Sequence, residues 1–493
     1  VVHIPSRQAA TLLAALRSTV GAAHVLTDAE VTASYETDWT GRYYGRAQAV
    51  VRPADAAQVA VVLQTSGQAA VAVVVQGGNT GLVGGGVPVG GEVLLSTRRL
   101  NAVGEVENAG GAATVVVGAG ATLAVVQAAV RPQGWDLGVD LGSRGSATVG
   151  GMAATNAGGE RVLRHGPMRA QVAGLEAVLA DGSVVGRLAR SPKDNAGYDL
   201  EQLLVGSEGT LAVLTRLRLS LVPLARRRAV ALVAVGGAAA ALEVLAYLRG
   251  HLPRTLGAAE LMFADGLALV RAATGLAAPF RAEHPAFLLV EVDDAGAGDQ
   301  DDDLAAELAS AVSECVVVRD AVLASDARGV AELWRYREAH TEALASGRPL
   351  KLDVSVPLTA LPGFVDELGP YIRAVAAGAV GAVGARCSDP RTIVFGHLAE
   401  GNLHVNVLGL DAAAGSARRE LAVADAVLRR VAALGGSISA EHGIGRAKVD
   451  WLHLSRSAAD LAAMAAVKRA LDPAGLLAPG VLLPARVTEN GRS

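Results

Sequence analysis

Directly after the apolar run Val71-Ala72-Val73-Val74-Val75 comes the stretch Gln76-Gly77-Gly78-Asn79-Thr80-Gly81-Leu82-Val83-Gly84-Gly85-Gly86. A strand that empties into so many glycines leaves few folding options. Glycine lets the backbone turn sharply and approach a neighbour closely, and successive N–H groups can then point at an anion. An ordinary turn and a phosphate-holding loop both fit this stretch taken alone. It has no Lys-Ser/Thr ending, which disfavours a Walker loop. Its glycines do not open a helix in the Gly-x-Gly-x-x-Gly manner, which disfavours a Rossmann fold.

Other clusters of glycine and hydroxyl residues follow: Asp140-Leu141-Gly142-Ser143-Arg144-Gly145-Ser146-Ala147-Thr148-Val149-Gly150-Gly151, then Ala154-Thr155-Asn156-Ala157-Gly158-Gly159, then Gly206-Ser207-Glu208-Gly209-Thr210-Leu211. Between them, helical patterns at residues 56–66 and 121–129 mix with buried strands at 71–75 and 114–117, an α+β or α/β reading. So many clusters in one region suggest close packing around an extended cofactor. They stop at Arg226-Arg227-Arg228, where a new rhythm begins with a strand at 229–235 and a helix at 238–249. A chain of 493 residues exceeds one ordinary core. Two or three domains are therefore expected, with a boundary near residue 222.

Composition excludes some functions. A net charge of −4 with 19% charged residues gives no electrostatic case for nucleic acid or an anionic membrane. Residues 229–248 are apolar, but Gly236-Gly237 divides them and Glu243 interrupts them, so a strand and a helix are expected rather than a membrane span. No secretory signal is evident in Val1-Val2-His3-Ile4-Pro5. The two isolated thiols Cys315 and Cys387 are compatible with a reducing cytoplasm. The acidic stretch 293–303 is expected to be an exposed loop entering a helix, and the residues beyond 483 to be mobile.

Chemistry-bearing residues gather near the C-terminus. Gly396-His397-Leu398-Ala399-Glu400-Gly401-Asn402-Leu403-His404-Val405-Asn406 and Ala440-Glu441-His442-Gly443 hold three of the ten histidines beside a carboxylate. In a strand after Gly401, His404 and Asn406 project to one side, and a turn can bring His397 back beside His404. Hydrogen-bonded polar residues near a strand end and a three-ligand divalent metal site both fit. Upstream, Arg337 and Thr341 are four apart and share a helical face. Lys351, Asp353 and Ser355 face one side of a strand while Leu352 and Val354 face the core. These groups form either a solvated charged face or a carboxylate clamp.

Taken together, Gln-Gly-Gly-Asn-Thr-Gly, Gly-Gly-Met-Ala-Ala-Thr-Asn-Ala-Gly-Gly, Lys193-Asp194-Asn195-Ala196-Gly197-Tyr198-Asp199-Leu200 and Gly-Ser-Glu-Gly-Thr-Leu resemble the vanillyl-alcohol-oxidase/PCMH-type FAD oxidoreductases. The nearest likeness within them is to D-2-hydroxyglutarate dehydrogenase and its D-2-hydroxyacid relatives, and it runs roughly from Tyr43 to Leu483. The resemblance implies an α+β fold: a PCMH-type FAD domain of two α/β subdomains over residues 1–222, a substrate-binding or cap domain with an antiparallel sheet and helices over 223–436, and a small C-terminal helical segment, 437–493, completing the active site. It implies FAD on Gly77, Gly78, Asn79, Thr80, Gly81 and Leu82, with further contacts from Gly142, Ser146, Gly150, Thr155 and Asn156. No histidine lies in the 76–86 loop, so the FAD is expected to be non-covalent.

The same resemblance implies a divalent metal, zinc first, on His397, His404 and Glu441, with His442 as the catalytic base. It turns Arg337, Thr341, Lys351 and Asn406 into substrate-binding residues. The expected reaction is oxidation of a D-2-hydroxy acid, D-2-hydroxyglutarate foremost, with the hydride passing to flavin N5. A D-lactate or glycolate dehydrogenase, an oxidase of the same fold, and a non-catalytic flavin-binding subunit are the alternatives. An electron-transfer flavoprotein or a quinone is the expected acceptor, and a homodimer one expected assembly. Ala399, Glu400 and Ala478 replace the Gly, Asp and Asn usual in such relatives, which touches loop shape and substrate fit rather than the metal set.

Overall fold

The computed structural model describes residues 6–189, 191, 193–294, 304–379, 389–410 and 416–484. Cys387, residues 295–303 of the acidic stretch and the end of the chain lie outside the described residues. The chain forms two compact units. The first comprises Val1–Gly159, His165–Pro223 and Glu441–Ser493, and the second Glu160–Arg164 and Leu224–Ala440.

The first unit holds two sheets. In the smaller, the strands run in the order Val25–Leu26, Ala49–Val51, Val93–Ser96, Val73–Gln76, the last three mutually parallel. Parallel strands are buried on both faces, and Val50, Val73, Val93 and Leu95 accordingly have no exposed surface. The helix Ala56–Gln68 connects two of these strands. Its first turn is capped by Asp55, which accepts from the N–H of Gln58 at 2.8 Å. The larger sheet has six antiparallel strands centred on the long strand Val213–Pro223.

The chain beyond Glu441 is integral to this unit. Ala478 N–H donates to Val73 O at 2.8 Å, and Val73 N–H to Leu476 O at 2.8 Å, so the C-terminal strand-like stretch continues the edge of the small sheet. Lys468, on the helix Ala458–Leu471, is buried and donates to Thr210 O at 2.7 Å, to Leu477 O at 2.8 Å, and to Asp472.

The second unit is built on a seven-stranded antiparallel sheet in the order Asp320–Ala324, Arg227–Val235, Ala286–Asp294, Leu256–Phe263, Arg391–His397, Asn402–Leu408, Leu350–Ser355. The apolar stretch 229–248 is a strand, Arg227–Val235, and a helix, Ala238–His251, as its Gly-Gly break requires. From Ala229 onward the strand is apolar and buried, with the helices Ala238–His251, Leu304–Glu314 and Ala327–Glu338 packed against it. One of them, Ala327–Glu338, packs Leu333, Trp334 and Tyr336 against Leu232, Leu289, Ile393 and Phe395. Asp293 and Asp294 end the strand Ala286–Asp294 instead of starting an exposed loop, and Asp293 is buried beside Arg164. Cys315 is a buried free thiol. Among the described residues no helix is long and apolar enough to cross a membrane.

Candidate functional site

Strand register in the second unit decides which polar residues meet. Glu260 pairs with His397. In the next row Phe395 pairs with His404, which pairs in turn with Asp353. In the third, Ile393 pairs with Asn406 and Asn406 with Lys351. Side chains alternate across a strand, so Glu260, His397, His404, Asp353, Asn406 and Lys351 all emerge on one face. The same-side readings of His404 with Asn406 and of Lys351 with Asp353 follow from this register. A solvated face does not: Asp353 has no exposed surface and Asn406 keeps only 4%. The reason is that this face also carries Met262, Ile393 and Phe395 of the core beneath Ala327–Glu338.

Glu260 was not singled out in the sequence, yet it is the most connected charge on this face. It is 1% exposed. Its Oε1 lies 2.5 Å from His397 Nδ1, and its Oε2 accepts from Arg337 Nε at 2.6 Å. Burial alone would raise its pKa, but the facing His397 and Arg337 outweigh burial and bring it down to about 2. Glu260 is therefore an anion that can only accept, so Nδ1 of His397 carries a hydrogen, and in the neutral ring the lone pair is on Nε2. A signal for Glu260 did exist: a lone carboxylate in the apolar strand Leu256–Phe263 needs a buried partner.

The rings of His397 and His404 stand edge to face with centroids 5.5 Å apart. Each offers a ring nitrogen within 4.8 Å of one on the other. Behind His404, Asp353 Oδ1 lies 3.6 Å from Nδ1. Paired imidazoles, one hydrogen-bonded to a buried carboxylate as metal-ligating histidines typically are and the other with a buried carboxylate nearby, suit a divalent cation.

Arg337 and Thr341 do not share one continuous helix. The chain turns at Ala339, between Ala327–Glu338 and His340–Ala345, leaving Arg337 buried and Thr341 exposed. Arg337 is drawn inward by Glu260, and its guanidinium lies 4.7 Å from the centre of the Phe395 ring. The altered loop is held locally, with Arg249 Nη2 donating to Ala399 O at 3.2 Å.

Glu441 and His442 belong to the first unit. Glu441 Oε1 accepts from Gly159 N–H at 3.1 Å, and a Cβ on Gly158 would come within 2.6 Å of it. One proposed metal ligand thus rests on the Ala157-Gly158-Gly159 cluster. Ala440, the residue before it in the chain, belongs to the second unit, where its N–H donates to Asp353 Oδ2 at 3.1 Å. Beyond His442 the turn is fixed by Glu208, whose carboxylate accepts from Ile444 N–H at 2.8 Å and Gly445 N–H at 2.7 Å. Burial raises the Glu208 pKa against the pull of these N–H groups and Lys448. In the sequence Glu208 read only as part of a glycine motif; its partners lie more than two hundred positions away.

The glycine loops of the first unit close on each other. A Cβ on Gly78 would sit 1.9 Å from Ser146 O, and one on Gly77 2.2 Å from Thr148 Oγ1. Only glycine permits this approach. The half-buried 77–82 loop therefore offers backbone rather than side chain to a ligand, a cradle suited to an FAD pyrophosphate. Gly81 and Gly142 are open, with room for a Cβ that would meet nothing within 4 Å, and Ser146 is exposed. Other residues expected at the cofactor have local duties. Asn79, at φ 58°, donates from its side chain to Thr37 O at 2.8 Å. Gly150 is buried against Ala119. Thr155 Oγ1 donates to Gly151 O at 3.1 Å, and Asn156 Oδ1 accepts from Arg169 N–H at 2.9 Å. Thr80 and Leu82 lie half-buried in the loop.

Comparison with known proteins bears on both units. Residues 47–186 match the FAD binding domain, and residues 224–482 match the C-terminal domain of FAD linked oxidases. The chain is 38% identical over 473 residues to the mitochondrial D-2-hydroxyglutarate dehydrogenase of Bos taurus, covering 96% of this chain and 83% of that one. It is 37% identical to the D-2-hydroxyglutarate dehydrogenase of Xanthomonas citri pv. viticola, covering 95% and 96%. The crystal structure of p-cresol methylhydroxylase with substrate bound has the same fold, with a TM-score of 0.73 at 13% identity over 98% of both chains.

Proposed function

This chain belongs to the FAD-linked oxidases of the vanillyl-alcohol-oxidase/PCMH type, and we propose that it is a dehydrogenase oxidising D-2-hydroxy acids, D-2-hydroxyglutarate first among them, to 2-oxo acids. The observation that carries the reading is the pair His397 and His404 on one sheet face with Asn406 and Lys351, each imidazole backed by a buried carboxylate. In this reading Glu441 completes a three-ligand set with His397 and His404. Two links support it: Ala440 is tied to Asp353 behind His404, and Glu441 follows Ala440 in the chain.

His397, His404 and Glu441 would hold a divalent ion, zinc in our assignment, that would supply a Lewis acid, and non-covalent FAD would supply the two-electron acceptor for the hydride of C2, with N5 as its accepting atom. His442 removes the proton of the 2-hydroxyl, the general-base task most often given to an imidazole. Arg337, Thr341, Lys351 and Asn406 orient the substrate carboxylates; two cations on this face favour a dicarboxylate over a monocarboxylate. The glycine loops 77–82 and 142–156 hold the cofactor.

Anaerobic mixing of the yellow enzyme with a panel of D- and L-2-hydroxy acids tests the assignment. D-2-hydroxyglutarate should bleach the flavin band fastest and L-enantiomers should leave it unchanged; no bleaching by any D-2-hydroxy acid refutes it. His442→Ala should keep FAD and metal while losing at least 100-fold in turnover, the scale of general-base catalysis. Near-normal turnover removes His442 as the base.

A further inference from the structure

We propose that Glu260 is a positioning residue that holds metal ligand and substrate cation in one frame: it fixes the tautomer of His397 through Nδ1 and the direction of Arg337 through Nε. The proposal rests on the metal reading given above. Both carboxylate oxygens are engaged, Oε1 at 2.5 Å from His397 Nδ1 and Oε2 at 2.6 Å from Arg337 Nε. All three side chains are buried. Because a carboxylate only accepts, a hydrogen of the His397 ring is held at Nδ1, so that the neutral ring would ligate through Nε2. Arg337, gripped at Nε, also lies against the Phe395 ring, which packs 5.2 Å from the ring of His404. Its terminal nitrogens are thereby aimed without a search through rotamers. Asp353 behind His404 is no equivalent, since at 3.6 Å it is beyond hydrogen-bond length. Glu260 is thus the shared anchor: moving it misaligns two functional groups that come from different elements.

A neutral amide in its place removes the anion. Nothing then compels His397 to keep its hydrogen at Nδ1, and the tautomer with hydrogen on Nε2 cannot ligate through that nitrogen. Loss of such an outer partner weakens metal binding by about 10–100-fold.

The test strips metal from the purified FAD-loaded enzyme with a chelator and titrates Co²⁺ back, reading its visible d–d bands against a competing chromophoric chelator. The wild type, Glu260→Gln and the double variant Glu260→Met/Arg337→Met are compared, with His404→Ala as the site control. The double variant replaces the ion pair by apolar groups of similar size and guards against loss of fold. Both Glu260 variants are expected to retain FAD and bind Co²⁺ at least tenfold more weakly, with altered d–d bands. Binding within twofold of wild type in either folded variant overturns the proposal. If the wild type takes up no more Co²⁺ than His404→Ala, the metal reading itself has failed and Glu260 loses this role with it.

Discussion

His340 gives the sharpest test of the electrostatics of the second unit. It has no exposed surface. Its Nδ1 donates to Arg337 O at 3.1 Å, while Nε2 has no hydrogen-bond partner among the described residues. A Cβ on Gly266 would come within 2.8 Å of Nε2, which leaves no room for water there. Burial above all, then the Arg337 charge, lowers the His340 pKa from 6.5 to about 3. The unfolded chain therefore takes up a proton that the native state refuses throughout that interval. Where the unfolded state binds more protons, stability falls as pH falls, by about 1.4 kcal/mol per pH unit for one proton. From pH 6.5 to 3 the loss is about 3.5 units times 1.4, or ~5 kcal/mol; by pH 4.5 it is ~3 kcal/mol. His340→Asn keeps a neutral donor near Arg337 O but leaves a small cavity, costing about 1–2 kcal/mol at pH 7.5. The two stability profiles should cross between pH 6 and 4.5, the variant becoming the more stable protein in acid. Urea midpoints at half-unit pH steps, followed by tryptophan fluorescence (Trp334 packs in the same core), provide the comparison. Parallel profiles from pH 7.5 to 4.5 refute the argument.

Other perturbations separate fold from chemistry. Lys468→Met strands the buried Asp472 carboxylate and two carbonyls, and should destabilise the first unit by about 3–5 kcal/mol, moving its urea midpoint down by more than ~1 M; adding Asp472→Leu should recover part of the loss. Gly78→Ala forces a Cβ onto Ser146 O and should lower both melting temperature and FAD content, whereas Gly81→Ala, which meets no protein atom, should lower FAD affinity with the apo-protein melting temperature within a degree or two. Chelation should abolish turnover while the flavin spectrum stays, and Zn²⁺ should restore it; undiminished turnover without metal removes the Lewis acid from the mechanism.

What the sequence disclosed, and what it hid, follows from the range of the interactions involved. Period and punctuation are local, so the strand and helix at 229–251 and the pairing of His404 with Asn406 on one side of a strand were legible. Motif clusters were legible too, because Gly77 and Gly78 must lack a Cβ to lie against Thr148 Oγ1 and Ser146 O as they do. The helical face assigned to Arg337 and Thr341 failed because the turn at Ala339 has no Gly or Pro to announce it. It is decided by burial of Arg337 and His340, which depends on the sheet beneath them.

Glu260 and Glu208 were hidden for a stronger reason. Glu260 meets His397 across 137 positions and Arg337 across 77; Glu208 meets Ile444 across 236. Each is a single carboxylate whose meaning lies wholly in its partners. The order of strands in the sheet, with Leu256–Phe263 placed beside Arg391–His397, is what brings Glu260 to the histidine. The chemistry-bearing side chains could therefore be found one by one from composition and motif, whereas the groups that aim them are products of the fold. A shift of one residue in that strand pair would turn Glu260 to the opposite face and leave Arg337 and His397 buried without their common anion. That makes register in this pair a requirement of the site as well as of the core.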